Sequence, residues 1–205
     1  NQPMSKIVTV PSDVLRKPAK PVLALDNRVL SLLINMEKVL KTAKNPQGVG
    51  LAASQIGVSL RIFFIRPVKN GPITIFINPE IVKFSQRQNV PTGKKGVYEG
   101  CLSIPDHYAP IRRSTSVTVK YQTLKSRIQN YNNQINSKLK NQNYLDLRIS
   151  DLEFESKTEV FTSFAAHVIQ HEMDHLNGIL FIDRCLEQNS KLYKIDGEEW
   201  EEVGI

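Results

Sequence analysis

Apolar positions along the chain fall into a few periodic segments. After Asp26 or Asn27, either of which can cap a helix, Val29, Leu32, Leu33, Met36, Val39, Leu40 and Ala43 recur at helical spacing. Leu60–Arg66, Ile73–Asn78 and Ile81–Ser85 are apolar runs of strand length, and Val117, Val119 and Tyr121 alternate with polar neighbours as a half-buried strand does. Phe164-Ala165-Ala166-His167-Val168-Ile169-Gln170 opens a second helical stretch, which Thr162 or Ser163 can cap and Gly178 stops. The pattern predicts an α+β fold, mostly antiparallel sheets around that later helix.

Two segments sit outside this scheme. The stretch from about 124 to 149 is rich in Asn, Gln and Lys, yet Leu124, Ile128, Tyr131, Ile135 and Leu139 are spaced 4, 3, 4 and 4 apart. That stripe predicts a short helix or helical hairpin inserted between strands, a polar loop being the plainer reading. After Arg184, the segment 186–205 ends in Glu198-Glu199-Trp200-Glu201-Glu202. Trp200 and Val203 can anchor this tail on a sheet edge, or the acidic end is simply solvated.

Composition narrows the class mainly by exclusion. At 205 residues, 40% hydrophobic and 23% charged, the chain reads as one ordinary globular domain with a substantial core. No run of about 20 apolar residues is present, so no membrane-spanning helix is expected. The opening residues, Asn1 to Lys6, lack an apolar signal-peptide segment, which with only two cysteines fits a reducing cytoplasm. A net charge of +7 suits a phosphate-rich partner, although a generally basic surface is the better explanation of it. No nucleic-acid fold signature accompanies it, and specific DNA binding is not expected.

Chemistry concentrates in the later helix. His171-Glu172-Met173-Asp174-His175 is an HExxH pattern, in which residues four apart share one helix face and both imidazoles can hold a single metal ion. Glu172, beside the first histidine, is placed to exchange protons with a water bound there. His167 lies one turn earlier. At about 1.5 Å rise per residue it is roughly 12 Å along the axis from His175, too far to share one ion, and it reads as a packed or rim histidine. Phe164 and Val168 project onto the side of His171 and His175 as an apolar wall.

A third ligand has several candidates. The metzincin position, a histidine three residues after the glycine, is occupied by Phe181. A downstream glutamate is possible at Glu198, Glu199, Glu201 or Glu202. The upstream candidate is Cys101 in Glu99-Gly100-Cys101-Leu102-Ser103, since a thiolate is a good ligand for zinc or ferrous iron. Taken alone, such a cysteine is more often a small buried hydrophobe. Gly48-Val49-Gly50-Leu51-Ala52-Ala53-Ser54-Gln55 is a third unusual run, whose glycines and alanines imply close backbone packing or an exposed edge. Ala53 breaks the GxGxxG pattern, so it is no phosphate loop. Gln55 either donates to a substrate oxygen or satisfies a buried turn.

These three runs together, GVGLAASQ, EGCLS and QHEMDHLNG, resemble the motifs of the peptide deformylases in the family's order, and Leu15-Arg16 and Ile77-Asn78-Pro79-Glu80 also match. The resemblance extends from about Ile7 to about Arg184, broken by the insertion. It implies a single catalytic domain over 1–205 with the deformylase fold, and an enzyme that hydrolyses the formyl group of N-terminal formyl-methionine on new polypeptides, releasing formate. Cys101, His171 and His175 are then the ligands of one divalent ion, ferrous iron in the family and often replaced by zinc or nickel. Affinity order alone does not select iron. Glu172 is implied as general base and acid, with Gln55 and the Leu102 backbone N–H stabilising the oxyanion. The peptide is expected as an added strand near Val49, Gly50 and Gly100, its methionine walled by Val49, Phe164, His167 and Val168. His167 is polar for such a wall, so its side chain is expected to turn to the rim. Ser54 replaces the family's usual proline, which predicts a slightly less rigid loop. Formylated initiation implies bacteria or a bacterially derived organelle, the lack of a transit segment favours the bacterial cytoplasm, and ribosomal RNA near the nascent chain is the candidate basic-surface partner.

Overall fold

The computed structural model describes residues 5–43, 47–89, 98–126 and 149–204. Helix α1 spans Asn27–Thr42, and the Asp26 carboxylate caps it by accepting from the Val29 N–H at 2.8 Å. The strands that follow are β1 (Gly50–Ala52), β2 (Ile62–Ile65), β3 (Thr74–Phe84), β4 (Gln88–Asn89), β5 (Glu99–Cys101), β6 (Ile104–Ala109), β7 (Arg113–Ser114), β8 (Ser116–Ser126) and β9 (Leu152–Thr162). Helices α2 (Ser163–Leu176) and α3 (Phe181–Glu187) come next, and strands β10 (Leu192–Asp196) and β11 (Glu199–Val203) close the chain. Among the described residues no helix is long and apolar enough to cross a membrane.

The named strands pair antiparallel throughout. One sheet has the order β1-β2-β3-β8-β9, a second β11-β10-β6-β5, and β4 and β7 form a two-stranded ribbon. Ile62-Phe63-Phe64-Ile65 shows why β2 is apolar at every position. Ile62 and Phe64 join the cluster under α1 with Met36 and Leu40, whereas Phe63 and Ile65 join Ala166, Val168 and Ile169 of α2 on the other face. A strand covered on both faces cannot alternate apolar with polar. A third cluster joins α3 through Phe181 and Cys185 to Cys101, Ile104, Ala109 and Leu192 of the smaller sheet.

Two local readings change in the structure. Ile73–Asn78 and Ile81–Ser85, expected as separate strands, form the single strand β3 with a register break between Ile77 and Glu80. Asn78 sits there at φ 49°. Its side chain accepts from the Val22 N–H at 2.8 Å and donates to the Val22 carbonyl at 2.8 Å and the Gln122 amide oxygen at 2.9 Å. The bulge therefore tethers the N-terminal segment to the sheet, and Pro79 falls where a ladder donor is not needed.

Leu124, expected to head a helical stripe, lies instead in β8 opposite Phe154. Pairing with a partner strand overrode its local spacing. Ile128, Tyr131, Ile135 and Leu139 lie outside the described residues. The acidic tail forms the β10–β11 hairpin, anchored through Val203 in the third cluster, while Glu199, Glu201 and Glu202 stay exposed.

Candidate active site

Helix α2 presents the HExxH side chains inward. Thr162 occupies its N-cap position, and Gly178, at φ 73°, ends it against the Arg16 carbonyl, which a Cβ would approach to 2.5 Å. The His171 and His175 rings, one turn apart, meet edge to face with centroids 4.8 Å apart. Cys101 reaches them from β5. Its Sγ lies 3.2 Å from His175 Nε2, and single donor atoms from Cys101, His171 and His175 all fall within 4.8 Å of one another. All three residues are buried. One thiol and two imidazoles converging in this way fit a single divalent ion with room for a further ligand, the donor set of catalytic rather than closed structural sites. The downstream glutamates Glu199, Glu201 and Glu202 are exposed on β11, and Glu202 pairs with Lys191.

The shell behind these side chains is ionic. His171 Nδ1 lies 2.6 Å from Glu99 Oε1, which turns the ring's Nε2 toward the cluster and fixes its orientation. Arg113 grips Glu99 with two bonds of 2.6 and 2.8 Å and also donates to Asp174 at 2.7 Å. Arg184 holds the same Asp174 from α3. Burial favours the neutral form of Glu99, but the Arg113 guanidinium and the His171 ring outweigh it and hold its carboxyl well below the usual range. Of the two histidines, burial and the neighbouring His171 hold His175 well below its ordinary value. For His171, burial is outweighed by Glu99 and Cys101, which push it up.

Glu172 differs from all of these. It is buried, its Oε2 has no hydrogen-bond partner, and burial pushes its pKa up to about 7. Its other oxygen occupies the space above Gly50, where a Cβ would come within 2.2 Å of Oε1. The glycine of β1 thus makes room for the carboxylate itself. Gln55 stands in the 3-10 turn Ala53–Ile56. Its Oε1 accepts from the Ala52 N–H at 2.9 Å, so its NH2 is turned to the site, 3.4 Å from Cys101 Sγ and 3.3 Å from Ser103 Oγ. The neighbouring Ser54 is fully buried with its hydroxyl unpartnered.

A cavity of about 140 Å³ opens on this cluster, and every expected wall residue lines it: Val49, Gly50, Gly100, Phe164, His167 and Val168. Leu102, in the turn between β5 and β6, lines it too. One expectation fails. His167 does not turn to the rim but is buried, its Nδ1 accepting from the Asn89 amide at 3.0 Å. Its Nε2 lies 2.8 Å from Glu99 Oε2, off the line of a well-formed bond. Among the described residues, both strands flanking the cavity, β1 and β5, are edge strands of their sheets. A larger cleft of about 760 Å³ lies beside α2, but Arg113, Asp174 and Arg184 in its wall are paired with one another.

Sequence reasoning missed the roles of Glu99, Arg113 and Asp174. Glu99 and Asp174 stand inside the recognised runs but attract no chemical reading there, and Arg113 carries no local signal.

A buried bis-imidazole and thiol set beside an unpaired carboxylate defines the class as a hydrolase-type site suited to one divalent ion. The family model for polypeptide deformylase matches residues 4–139 and 132–191, and the chain belongs to that family of enzymes. Peptide deformylase of Thermotoga petrophila is 37% identical over 181 residues, covering 88% of this chain and 87% of that protein. The crystal structure of peptide deformylase from Thermotoga maritima superposes with a TM-score of 0.65 at 33% identity, over 89% of this chain and 98% of that one. A class I type b peptide deformylase from Acinetobacter baumannii, crystallised with Met-Ala-Ser bound, gives a TM-score of 0.64 at 29% identity, over 90% and 99% of the two chains.

Proposed function

We propose that this protein removes the formyl group from the N-terminal formyl-methionine of newly synthesised polypeptides, releasing formate. The observation that carries the reading is the convergence of Cys101, His171 and His175 beside the unpartnered carboxylate of Glu172. A divalent ion held by those three ligands supplies Lewis acidity and lowers the pKa of water at the site. We assign ferrous iron as the native ion, with zinc or nickel as replacements.

Glu172 takes the proton from the attacking water and returns it to the departing amine. A carboxyl raised by burial, with a free oxygen, has the basicity and the access for both transfers. Gln55, its oxygen already occupied, directs its NH2 at the developing oxyanion, and the Leu102 N–H in the adjacent turn is the second donor. The peptide lies as an added strand between the edges of β1 and β5, near Val49, Gly50 and Gly100. Val49, Phe164 and Val168 wall the methionine side chain, and His167 closes the wall through its bond to Asn89. The peptide bound to the Acinetobacter enzyme, Met-Ala-Ser, begins with methionine and supports this reading. The setting is the bacterial cytoplasm, where the +7 charge favours residence near ribosomal RNA as chains emerge.

The test is formate release from formyl-Met-Ala-Ser by protein prepared anaerobically with ferrous iron. Steady turnover is expected. A fully loaded protein that releases no formate would remove the reading and leave a binding protein in its place.

A further inference from the structure

Arg66 carries a buried guanidinium that the chemistry above does not use. It directly follows β2 and is 7% exposed, yet among the described residues no carboxylate pairs with it. One of its NH2 groups donates instead to two carbonyls, that of Leu40 at 3.4 Å and that of Gly48 at 3.3 Å, and its Nε is buried without a partner. A buried charge is costly unless the groups around it answer it. Here the answer comes from the end of α1. Leu40 lies in the last turn of that helix, where the carbonyls carry partial negative charge.

The backbone of the same residue adds a third bond. The Arg66 N–H donates to the Val49 carbonyl at 2.6 Å, which extends the β1–β2 ladder by one residue beyond the pair Gly50 and Ile65. Arg66 therefore holds Leu40, Gly48 and Val49 together where the chain enters β1. The fit is close. A Cβ on Gly48 would meet the Leu40 oxygen at 2.5 Å and the Ala43 Cβ at 3.0 Å, and the Gly48 N–H donates to the Ala43 carbonyl at 3.3 Å.

This joint lies directly behind the candidate active site. Gln47, Val49 and Gly50 line its cavity. The Gly48 carbonyl belongs to the same planar peptide unit as the Val49 N–H, so the bond from the guanidinium sets the orientation of Val49. Gly50 is held separately by its pairing with Ile65, and the slot it leaves for the Glu172 carboxylate does not depend on the guanidinium.

We propose that Arg66 is a positioning residue for the methionine wall: it clamps the Gly48–Val49 peptide to the end of α1 and so holds Val49 against the substrate side chain. The proposal rests on the deformylase reading for the identity of its substrate. Loss of the guanidinium loosens the wall while the proton chemistry at Glu172 continues.

The test reads the margin of methionine over alanine at the first position, a ratio that partial loss of folded protein does not move. Met-Ala-Ser and Ala-Ala-Ser are titrated calorimetrically against the metal-loaded protein, and kcat and KM are measured on their formylated forms. In Arg66→Met the margin is expected to fall about three- to tenfold, within the range that one apolar pocket controls. KM for formyl-Met-Ala-Ser rises by a similar factor while kcat changes less than about twofold, the signature of lost binding rather than lost chemistry. Arg66→Lys, with one ammonium for two carbonyls, keeps part of the margin. Should Arg66→Met not fold, Arg66→Gln is expected to lose the margin in the same way, because its shorter amide cannot span both carbonyls.

A wild-type margin in folded Arg66→Met or Arg66→Gln overturns the proposal. So does a fall in kcat with the margin intact, which would make Arg66 a support of the fold alone. Absence of formate from the wild type defeats the deformylase reading, and the titrations of Met-Ala-Ser and Ala-Ala-Ser still decide the role of Arg66.

Discussion

The candidate chemistry depends on single atoms more than on bulk packing. Gly50 illustrates the point, because the room a Cβ would need is filled by the Glu172 carboxylate. Gly50→Ala is expected to displace that carboxylate and lower kcat for formyl-Met-Ala-Ser by about 10²- to 10⁴-fold, the range for loss of a general base. A Gly50→Ala enzyme with near-normal kcat would show that Glu172 does not need this position. Much of this scale is legible in the sequence. His171, Glu172 and His175 stand out by their spacing along one helix, whereas Cys101 and Gln55 are pointed to only by the resemblance of their runs to the family's motifs. Glu99 and Arg113 do not, since the helix residues they reach, His171 and Asp174, lie 72 and 61 residues away and no periodicity links positions so far apart. The inward turn of His167 was hidden for the same reason: Asn89, which holds it, is 78 residues distant.

At the scale of elements, local pattern served wherever one face decides the structure. The α1 stripe and its Asp26 cap are of this kind. It fell short wherever pairing decides. Strand β3 absorbs two predicted strands because Asn78 makes a bulge rather than a break, and Leu124 follows its partner Phe154 rather than its own spacing. Asn78 is the residue on which that bulge depends. Asn78→Ala leaves both Val22 backbone groups without their partner and puts a Cβ residue without the asparagine amide at φ 49°. Three hydrogen bonds at about 1 kcal/mol each predict a loss of about 3 kcal/mol in urea denaturation. A loss under about 1 kcal/mol would mean that the tether to the N-terminal segment is incidental.

At the scale of the whole molecule, α2 packs on the larger sheet through one face, and its histidines and Asp174 reach Cys101, Glu99 and Arg113 on the other side. An antiparallel α+β architecture was legible, but the division of the strands into two sheets was not. It is this division that leaves β1 and β5 as two edges flanking one cavity. The ionic chain Glu99–Arg113–Asp174–Arg184 joins β5, β7, α2 and α3. Removing its centre with Arg113→Met leaves the buried Glu99 without its guanidinium while Arg184 still holds Asp174, and breaking a buried ion pair costs about 3–5 kcal/mol. The expected outcome is a loss of that size in denaturant unfolding, together with weaker metal retention as His171 loses its fixed partner. Unchanged stability and unchanged retention would show that the network does not support the site.

The central claim is that Cys101, His171 and His175 hold one ion while Glu172 moves the proton. Metal stoichiometry measured beside formate release in Cys101→Ala and Glu172→Gln separates the two roles. The account predicts that Cys101→Ala loses both ion and turnover. Glu172→Gln is predicted to keep about one ion per chain, as the three-ligand site requires, while turnover falls about 10²- to 10⁴-fold. A Cys101→Ala protein that retains its ion and its activity, or a Glu172→Gln protein that turns over normally, would contradict it.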